Sequence, residues 1–334
     1  MKEKGLQIGN KSSLASCINE GLQSYILDAK QSLESELDKL LLKVSELRLH
    51  PLLEYALLSK GKRLRPILVI LSAQSVGGTP EKVMQLALSF ELLHTATLVH
   101  DDIIDQDVSR RGTKTLYSQW STNGAILAGD ALIALSINLA ANYGSEIMKI
   151  LSNVGLELCD GEYVDANLSL ESATETEYFA KIDKKSASLF RGATMCGALA
   201  AEGRPLEVEA LAKFGENFGM AYQLNDDLED LLNKSQISQD LRNGNVTLPF
   251  IHMYKHGSDS AKELLRKNFG NNSITRAIAE EIKGKMEETG AFKYCREKIV
   301  EYSAKSKTSL KDVKESVFKN YLMQFSDCAN KFEG

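Results

Sequence analysis

A chain of 334 residues has room for one large domain or two ordinary ones, and 43% hydrophobic with 25% charged residues is an ordinary globular composition. A formal net charge of −5 speaks against a nucleic-acid partner, which usually calls for a basic surface. The five cysteines (Cys17, Cys159, Cys196, Cys295 and Cys328) are odd in number and lack CxxC spacing. They fit reduced thiols in a cytoplasmic protein better than a disulfide framework or a zinc site.

In chain order, residues 1–20 have no continuous apolar segment of signal-peptide length and read as a flexible start. The longest apolar stretch, Ala131 to Ala141, is shorter than the ~20 residues a membrane-spanning helix needs. No transmembrane segment is expected, and peripheral contact with a membrane stays open. Prolines stand only at 51, 66, 80, 205 and 249, where helices can start or connect, and Leu, Ala, Lys and Glu dominate between them. Apolar residues recur at three- and four-residue spacing through Leu86, Phe90, Leu93 and Thr97, and again through Phe214, Phe218, Ala221 and Leu224. Alternating strand-like runs with hairpin dipeptides are essentially missing. The prediction is an all-α fold. Turn signals at Gly77–Pro80, Arg110–Thr113, Gly203–Pro205, Asn243–Asn245 and Gly270–Asn272 cut it into about ten or more helices. With no linker or composition shift, 21–334 reads as a single helical bundle around a central pocket.

The charged motifs come next. Lys60-Gly-Lys62-Arg63-Leu-Arg65-Pro66 is a compact basic patch before an apolar helix. His100-Asp101-Asp102-Ile-Ile-Asp105-Gln-Asp107-Val-Ser-Arg110-Arg111-Gly112 then ends the helix that carries Phe90 and Leu93. Asp101 and Asp105, four apart, share a helix face with Asp102 flanking it. Such a cluster suits Mg²⁺, which takes oxygen ligands from a few carboxylates plus substrate phosphates. A lone DDxxD is more often a solvated acidic helix end. The second cluster, Gln223-Leu-Asn-Asp226-Asp227-Leu-Glu229-Asp230, repeats the device, and neither has the central glycine and alternating ligands of an EF-hand. Two such helix ends facing one another, with Arg110, Arg111 and Lys185 nearby, point to a binder of two phosphorylated ligands.

At these motifs the sequence resembles the trans-prenyl diphosphate synthases. The resemblance runs in order from about Leu53 to about Leu310 through GKRLRP (61–66), ELLHTATLVHDDIIDQDVSRRG (91–112), AGD (128–130), DGEYVD (160–165), KKSASLF (184–190), YQLNDDLED (222–230), DLRNGNVTLP (240–249) and TGAFKYCREKIVEY (289–302). It implies that an allylic diphosphate binds through Mg²⁺, three ions when it is bound, between the clusters. The catalytic set is then Asp101, Asp102, Asp105, Lys185, Asp226, Asp227 and Asp230, with Asp101, Asp102, Asp105 and Asp226 as metal ligands. Arg110 and Lys185 match contacts to that diphosphate, and Ser186 and Gln223 belong to the same segments. Lys62, Arg65, Arg111 and His94 match the metal-free site for isopentenyl diphosphate. The family is commonly homodimeric, which implies a homodimer here.

The implied activity is condensation of isopentenyl diphosphate with an allylic diphosphate. Thr97 and Ala96 stand about one turn, ~5.4 Å, below Asp101. Family members that stop early carry an aromatic floor there; both residues are small here, so HTATLVHDD resembles the medium- and long-chain type, and a product of C25 or longer is expected. Leu132, Ile133, Leu135 and Ile137 on the next helix are candidates for a further barrier, though ordinary core is the commoner role for such residues. Asn245 stands where the family usually has a lysine, so a weaker diphosphate contact is expected, or compensation by a neighbour such as Lys234. The alternatives are a geranylgeranyl (C20) diphosphate synthase, a terpene cyclase, and a non-catalytic regulatory subunit. The repeated DDxxD disfavours the cyclase, and two intact aspartate clusters disfavour the subunit.

Overall fold

The computed structural model describes residues 18–58, 61–110 and 112–328, which form an all-α bundle. Helix α1 (Glu20–Lys43) starts where the Asn19 side chain accepts a hydrogen bond from the Leu22 amide. Then come α2 (His50–Leu57), α3 (Leu64–Ser75) and α4 (Pro80–Ile104), with the expected Gly77–Pro80 turn between the last two and Gly77 at φ +96°. Proline sits in the first turn of α2 and α4, where its missing N–H is not needed. Of residues 1–20, expected to be flexible, 1–17 lie outside the described residues, and α1 already starts at Glu20.

One small departure from the all-helical expectation follows the first acidic cluster. β1 (Ser109–Arg110) pairs antiparallel with β2 (Thr113–Lys114), and Gly112 at φ +78° makes the turn. The ribbon is too short for an alternating pattern to reveal it. The chain continues through α5 (Leu116–Gln119), α6 (Thr122–Ala140), α7 (Ser145–Asn167) and α8 (Glu175–Ile182). A π-helical turn at Asp183–Ala187 leads into α9 (Ser188–Ala200), and α10 (Pro205–Leu232) follows. The remaining helices are α11 (Gln239–Asn243), α12 (Leu248–His256), α13 (Asp259–Asn268), α14 (Arg276–Glu288), α15 (Ala291–Ser309) and α16 (Val317–Asp327).

Two apolar clusters hold these helices together, and α10 contributes to both. The larger joins α3, α4, α6, α7, α9 and the first half of α10. The other packs the second half of α10 against α8 and α12–α15 through Leu228, Leu231, Phe250, Ile282 and Phe292. Each fully buried side chain of this size adds about 1.5–3 kcal/mol of hydrophobic stabilisation. Helix α4 is buried on every side from Leu86 to Leu93, more than its three- and four-residue spacing implied, because it lies at the centre of the bundle.

The segment Thr122–Tyr143 is long and apolar enough to cross a membrane by length and composition, with a mean hydropathy of 1.7. It packs along α4, where Ser89 and Ser136 exchange hydrogen bonds through their hydroxyls and backbone carbonyls. Ile126, Leu127 and Ile137 nevertheless stay exposed on its outer side.

Candidate active site

The C-terminal ends of α4 and α10, the start of α3 and the π-helical turn surround a cavity of about 980 Å³. Its polar mouth carries Asp101, Asp105, Asp107, Arg110, Lys185, Gln223, Asp226 and Arg242; Leu98, Leu158 and Leu189 supply apolar wall.

The basic patch is held by a residue with no assigned role. Arg63 caps α3 in the left-handed region at φ 54°, uncommon for a residue with a Cβ. It is 5% exposed, and its guanidinium donates to Glu91 at 2.6 Å, Glu34 at 2.9 Å and the Leu57 carbonyl at 2.6 Å. That clamp turns the flanking cations toward the cavity. The Lys62 ammonium lies 5.7 Å from the Tyr222 ring centroid, and the Arg65 guanidinium lies 4.3 Å from that of Phe190. Arg65 Nη1 is also 2.9 Å from His94 Nε2, and Lys62, Arg65 and His94, the described residues expected to share one diphosphate, all line the cavity. Arg111 lies outside the described residues.

The aspartates divide into two kinds. Asp101, Asp105 and Asp226 line the cavity. Burial and the nearby Glu162 push the Asp101 carboxyl up to about 7. Asp105 is pushed up to about 6, mainly by burial. Asp102, expected among the metal ligands, points elsewhere: neighbouring helical positions lie ~100° apart, and Asp102 is buried against Arg110 Nε at 2.6 Å. Arg110, expected to contact a diphosphate, lines the mouth with its guanidinium on Asp102 and 3.9 Å from Asp107.

In the second cluster Asp227 is buried, accepting from the Tyr178 hydroxyl at 2.6 Å and Gln223 Nε2 at 2.7 Å. Burial pushes it up to about 6, which those two donors oppose. Asp230 turns toward α11, accepting from the Ser238 hydroxyl and from the Gln239 and Asp240 amides at 3.0 and 3.1 Å. These two aspartates brace the site while Asp226 faces it. Among the described residues no three His, Cys, Asp or Glu side chains form a preformed metal cluster.

Lys185 and Ser186 owe their position to the π-helical turn, a distortion common at functional sites. The turn lies so close to α7 that a Cβ on Gly161 would come 2.5 Å from the Lys185 amide nitrogen. Lys185 Nζ pairs with Asp165 at 2.6 Å and Glu162 at 2.7 Å. Burial alone would lower the lysine pKa, but Asp165, Asp101 and Glu162 outweigh it, raise the pKa and keep the charge. Asp165 would likewise rise on burial, yet Lys181 and Lys185 hold it below the usual carboxylate range. Ser186 donates to Gln223 Oε1 at 2.6 Å, linking the turn to Asp227 through that amide.

The α4 wall runs through Glu91, His94, Thr95, Thr97 and Leu98. Thr97 lines the cavity as expected; Ala96 does not, being fully buried on the side of α4 that carries Ser89 and faces α6. Of the barrier candidates, Leu132 is fully buried core and Ile137 is exposed, and neither they nor Ile133 and Leu135 reach the cavity. Asn245 lines the cavity and its amide donates to Asp240 at 3.3 Å, whereas Lys234, the expected substitute cation, is not on the wall; Arg242 is.

Sequence reasoning missed Arg63, Glu162, Asp165, Leu98 and Arg242. The i, i+3 acids of DGEYVD, opposite the lysines of KIDKKS, were a signal for the second and third. Nothing local flagged Arg63, whose carboxylate partners lie 28 and 29 positions away.

A family model described as polyprenyl synthetase matches residues 46–286. A geranylgeranyl diphosphate synthase of Methanosarcina mazei is 29% identical over 92% of this chain and 96% of its own length. An all-trans-nonaprenyl-diphosphate synthase of Rhodobacter capsulatus is 32% identical over 80% of this chain and 84% of its own. The crystal structure of a geranylgeranyl pyrophosphate synthetase from Pyrococcus horikoshii superposes with a TM-score of 0.86 at 26% identity, covering 94% of this chain and 99% of that one. The chain belongs to the polyprenyl synthetase family and is a prenyltransferase.

Proposed function

We propose that this protein elongates an allylic diphosphate with isopentenyl diphosphate, in the trans configuration, to a polyprenyl diphosphate of C25 or longer. The observation that carries the reading is one cavity with carboxylates at its mouth, a clamped basic patch on one side and an apolar wall with small Thr97 where a floor would stand.

The donor set fits Mg²⁺. Asp101, Asp105 and Asp226 offer only oxygen, and the first two are carboxyls whose ionisation burial opposes, a cost that a bound divalent cation offsets. These three would hold it, and when bound it supplies positive charge to the departing diphosphate. Lys185 adds a fixed cation beside them. Lys62, Arg65 and His94 hold the second diphosphate away from the carboxylates.

With both substrates so oriented, the allylic C1–O bond breaks and its electron pair leaves with the diphosphate. The double bond of isopentenyl diphosphate then forms the new C–C bond, and the resulting cation loses a proton to the released diphosphate. Preorganised charge around the leaving group carries most of the rate enhancement. Leu98, Leu158 and Leu189 keep water from the carbocation.

We also propose a homodimer formed through the exposed Ile126, Leu127 and Ile137 of α6 with Leu156 and Tyr163 of α7. A C20 product is the second reading, favoured by the similarity to geranylgeranyl diphosphate synthases. Incubating the purified chain with Mg²⁺, isopentenyl diphosphate and farnesyl diphosphate, then sizing the dephosphorylated products, separates the readings. Products of C25 or more support the proposal and a stop at C20 supports the second reading. No condensation under any primer refutes both.

A further inference from the structure

We infer that Arg242, on α11, is a binding residue for the allylic diphosphate; the inference rests on reading the cavity as a site for two diphosphates. Among the described residues, six cationic side chains line that cavity: Lys62, Arg63, Arg65, Arg110, Lys185 and Arg242. Three are neutralised by carboxylates, Arg63 by Glu34 and Glu91, Arg110 by Asp102, and Lys185 by Asp165 and Glu162. Lys62 and Arg65 stand together on the α3 side over aromatic rings. Arg242 differs from all five. It is exposed, it reaches the cavity from the opposite wall, and its guanidinium makes no ion pair or hydrogen bond among the described residues.

Its backbone, by contrast, is fixed. Asp230 accepts from the Ser238 hydroxyl and from the Gln239 and Asp240 amides, which ties the start of α11 to the second acidic cluster. Gln239 Nε2 and Asn243 Nδ2 donate to Asp107 at 2.6 and 3.3 Å, tying the same short helix to the loop after the first acidic cluster. Helix α11 therefore crosses between the two clusters, and Arg242 is carried on it at the place where an anion bound to both would lie. Asn245 supplies no charge there, because its side chain is neutral and its amide is turned to Asp240. The nearby lining residues Gln236, Gln239, Asn243 and Asn272 are neutral as well. A guanidinium, permanently charged and able to make two parallel hydrogen bonds, is the group suited to a diphosphate at this wall.

The test compares the wild-type chain with Arg242→Ala and Arg242→Lys. Arg242→Ala is expected to raise the KM for farnesyl diphosphate about tenfold, a typical worth for one charge-assisted contact. The KM for isopentenyl diphosphate should stay within about twofold, and Arg242→Lys should recover part of the loss because it keeps the charge. Titration calorimetry with inorganic diphosphate and Mg²⁺ supplies a readout independent of turnover, and affinity should fall by a similar factor in Arg242→Ala. Unchanged allylic KM and unchanged diphosphate affinity would overturn the inference. So would a rise confined to the KM for isopentenyl diphosphate, or a lowered melting midpoint that shows Arg242 acting only to dock α11. If the wild-type chain makes no product, the calorimetric comparison still decides the role of Arg242, so the two readings fail separately.

Discussion

Arg63 offers the most direct test of how the basic patch is built. Arg63→Met removes a guanidinium that is 5% exposed and leaves the Glu91 carboxylate, 4% exposed, without its 2.6 Å partner. The Leu57 carbonyl also loses its 2.6 Å donor. Breaking a buried ion pair from one side costs about 3–5 kcal/mol, because the remaining charge stays desolvated. The Glu34 contact adds less, since that carboxylate is half-exposed and can return to water. The left-handed backbone at φ 54° is strained in both the native and the Met chain; glycine would relieve roughly 1–2 kcal/mol of it. The expected order of stability is therefore wild type, then Arg63→Gly, then Arg63→Met, with the last about 3–5 kcal/mol below the first. Adding Glu91→Gln to Arg63→Met should recover part of the loss, because no charge is then left buried. Urea unfolding at pH 7, followed by circular dichroism, measures all four. A loss under about 1 kcal/mol in Arg63→Met, or no recovery from Glu91→Gln, would refute the clamp.

The mouth carboxylates set a pH dependence for the metal-free chain. Asp101 and Asp105 sit at about 7 and about 6 in the folded chain, above the ordinary carboxylate value of 3.8. The folded state therefore holds protons that the unfolded chain has released, and stability should fall as pH rises from about 4 to about 7. Asp101→Asn should flatten that decline and raise stability near pH 7.5 by roughly 1–3 kcal/mol while removing most turnover. Thermal melts across pH beside an activity assay check both halves, and a melting midpoint that rises with pH in the metal-free protein would contradict the sign. Adding Mg²⁺ with inorganic diphosphate should raise the midpoint at neutral pH, as ligand linkage requires. Thr97→Phe puts a ring on the cavity wall and should shorten the product without abolishing turnover. Ala96→Phe instead overpacks the interface of α4 with α6, costing about 1–3 kcal/mol. Product sizing and denaturation separate the two, and unchanged product length in Thr97→Phe would sink the proposed direction of growth.

The fold was readable because its signals are local. Prolines at helix starts, glycine-bearing turns and three- and four-residue spacing each act within a few residues, and the expected turns do separate helices. What spacing does not encode is which helix becomes central. Helix α4 reads as amphipathic, yet its stretch from Leu86 to Leu93 is buried all round, because neighbours far along the chain, α6 and α9 among them, close over its second face. The same limit explains why Ala96 and Thr97, adjacent in sequence, divide between core and cavity.

The acidic motifs divide in a related way. DDxxD looks like one ligand set repeated twice, but helical geometry sends the middle aspartate of each about 100° away from the first. A carboxylate so directed must find donors or remain uncharged. Asp102 finds Arg110, and Asp227 finds Tyr178 and Gln223. Asp230 goes further and anchors α11, whose Gln239 and Asn243 reach back to Asp107 beside the first cluster. The two acidic segments are thus joined through α11, held by Asp230 on one side and by Asp107 on the other. That connection gives a physical reason why replacing Asp227 or Asp230 should impair a site they do not line: Asp227 steadies Gln223 and, through it, Ser186, while Asp230 holds the helix that carries Arg242. Asp227→Asn should then lower turnover less than Asp101→Asn and weaken substrate binding more than its distance from the cavity suggests. Equal losses in kcat for the two variants, with unchanged KM, would mean that both aspartates touch the reacting groups and that the division into lining and bracing residues is wrong.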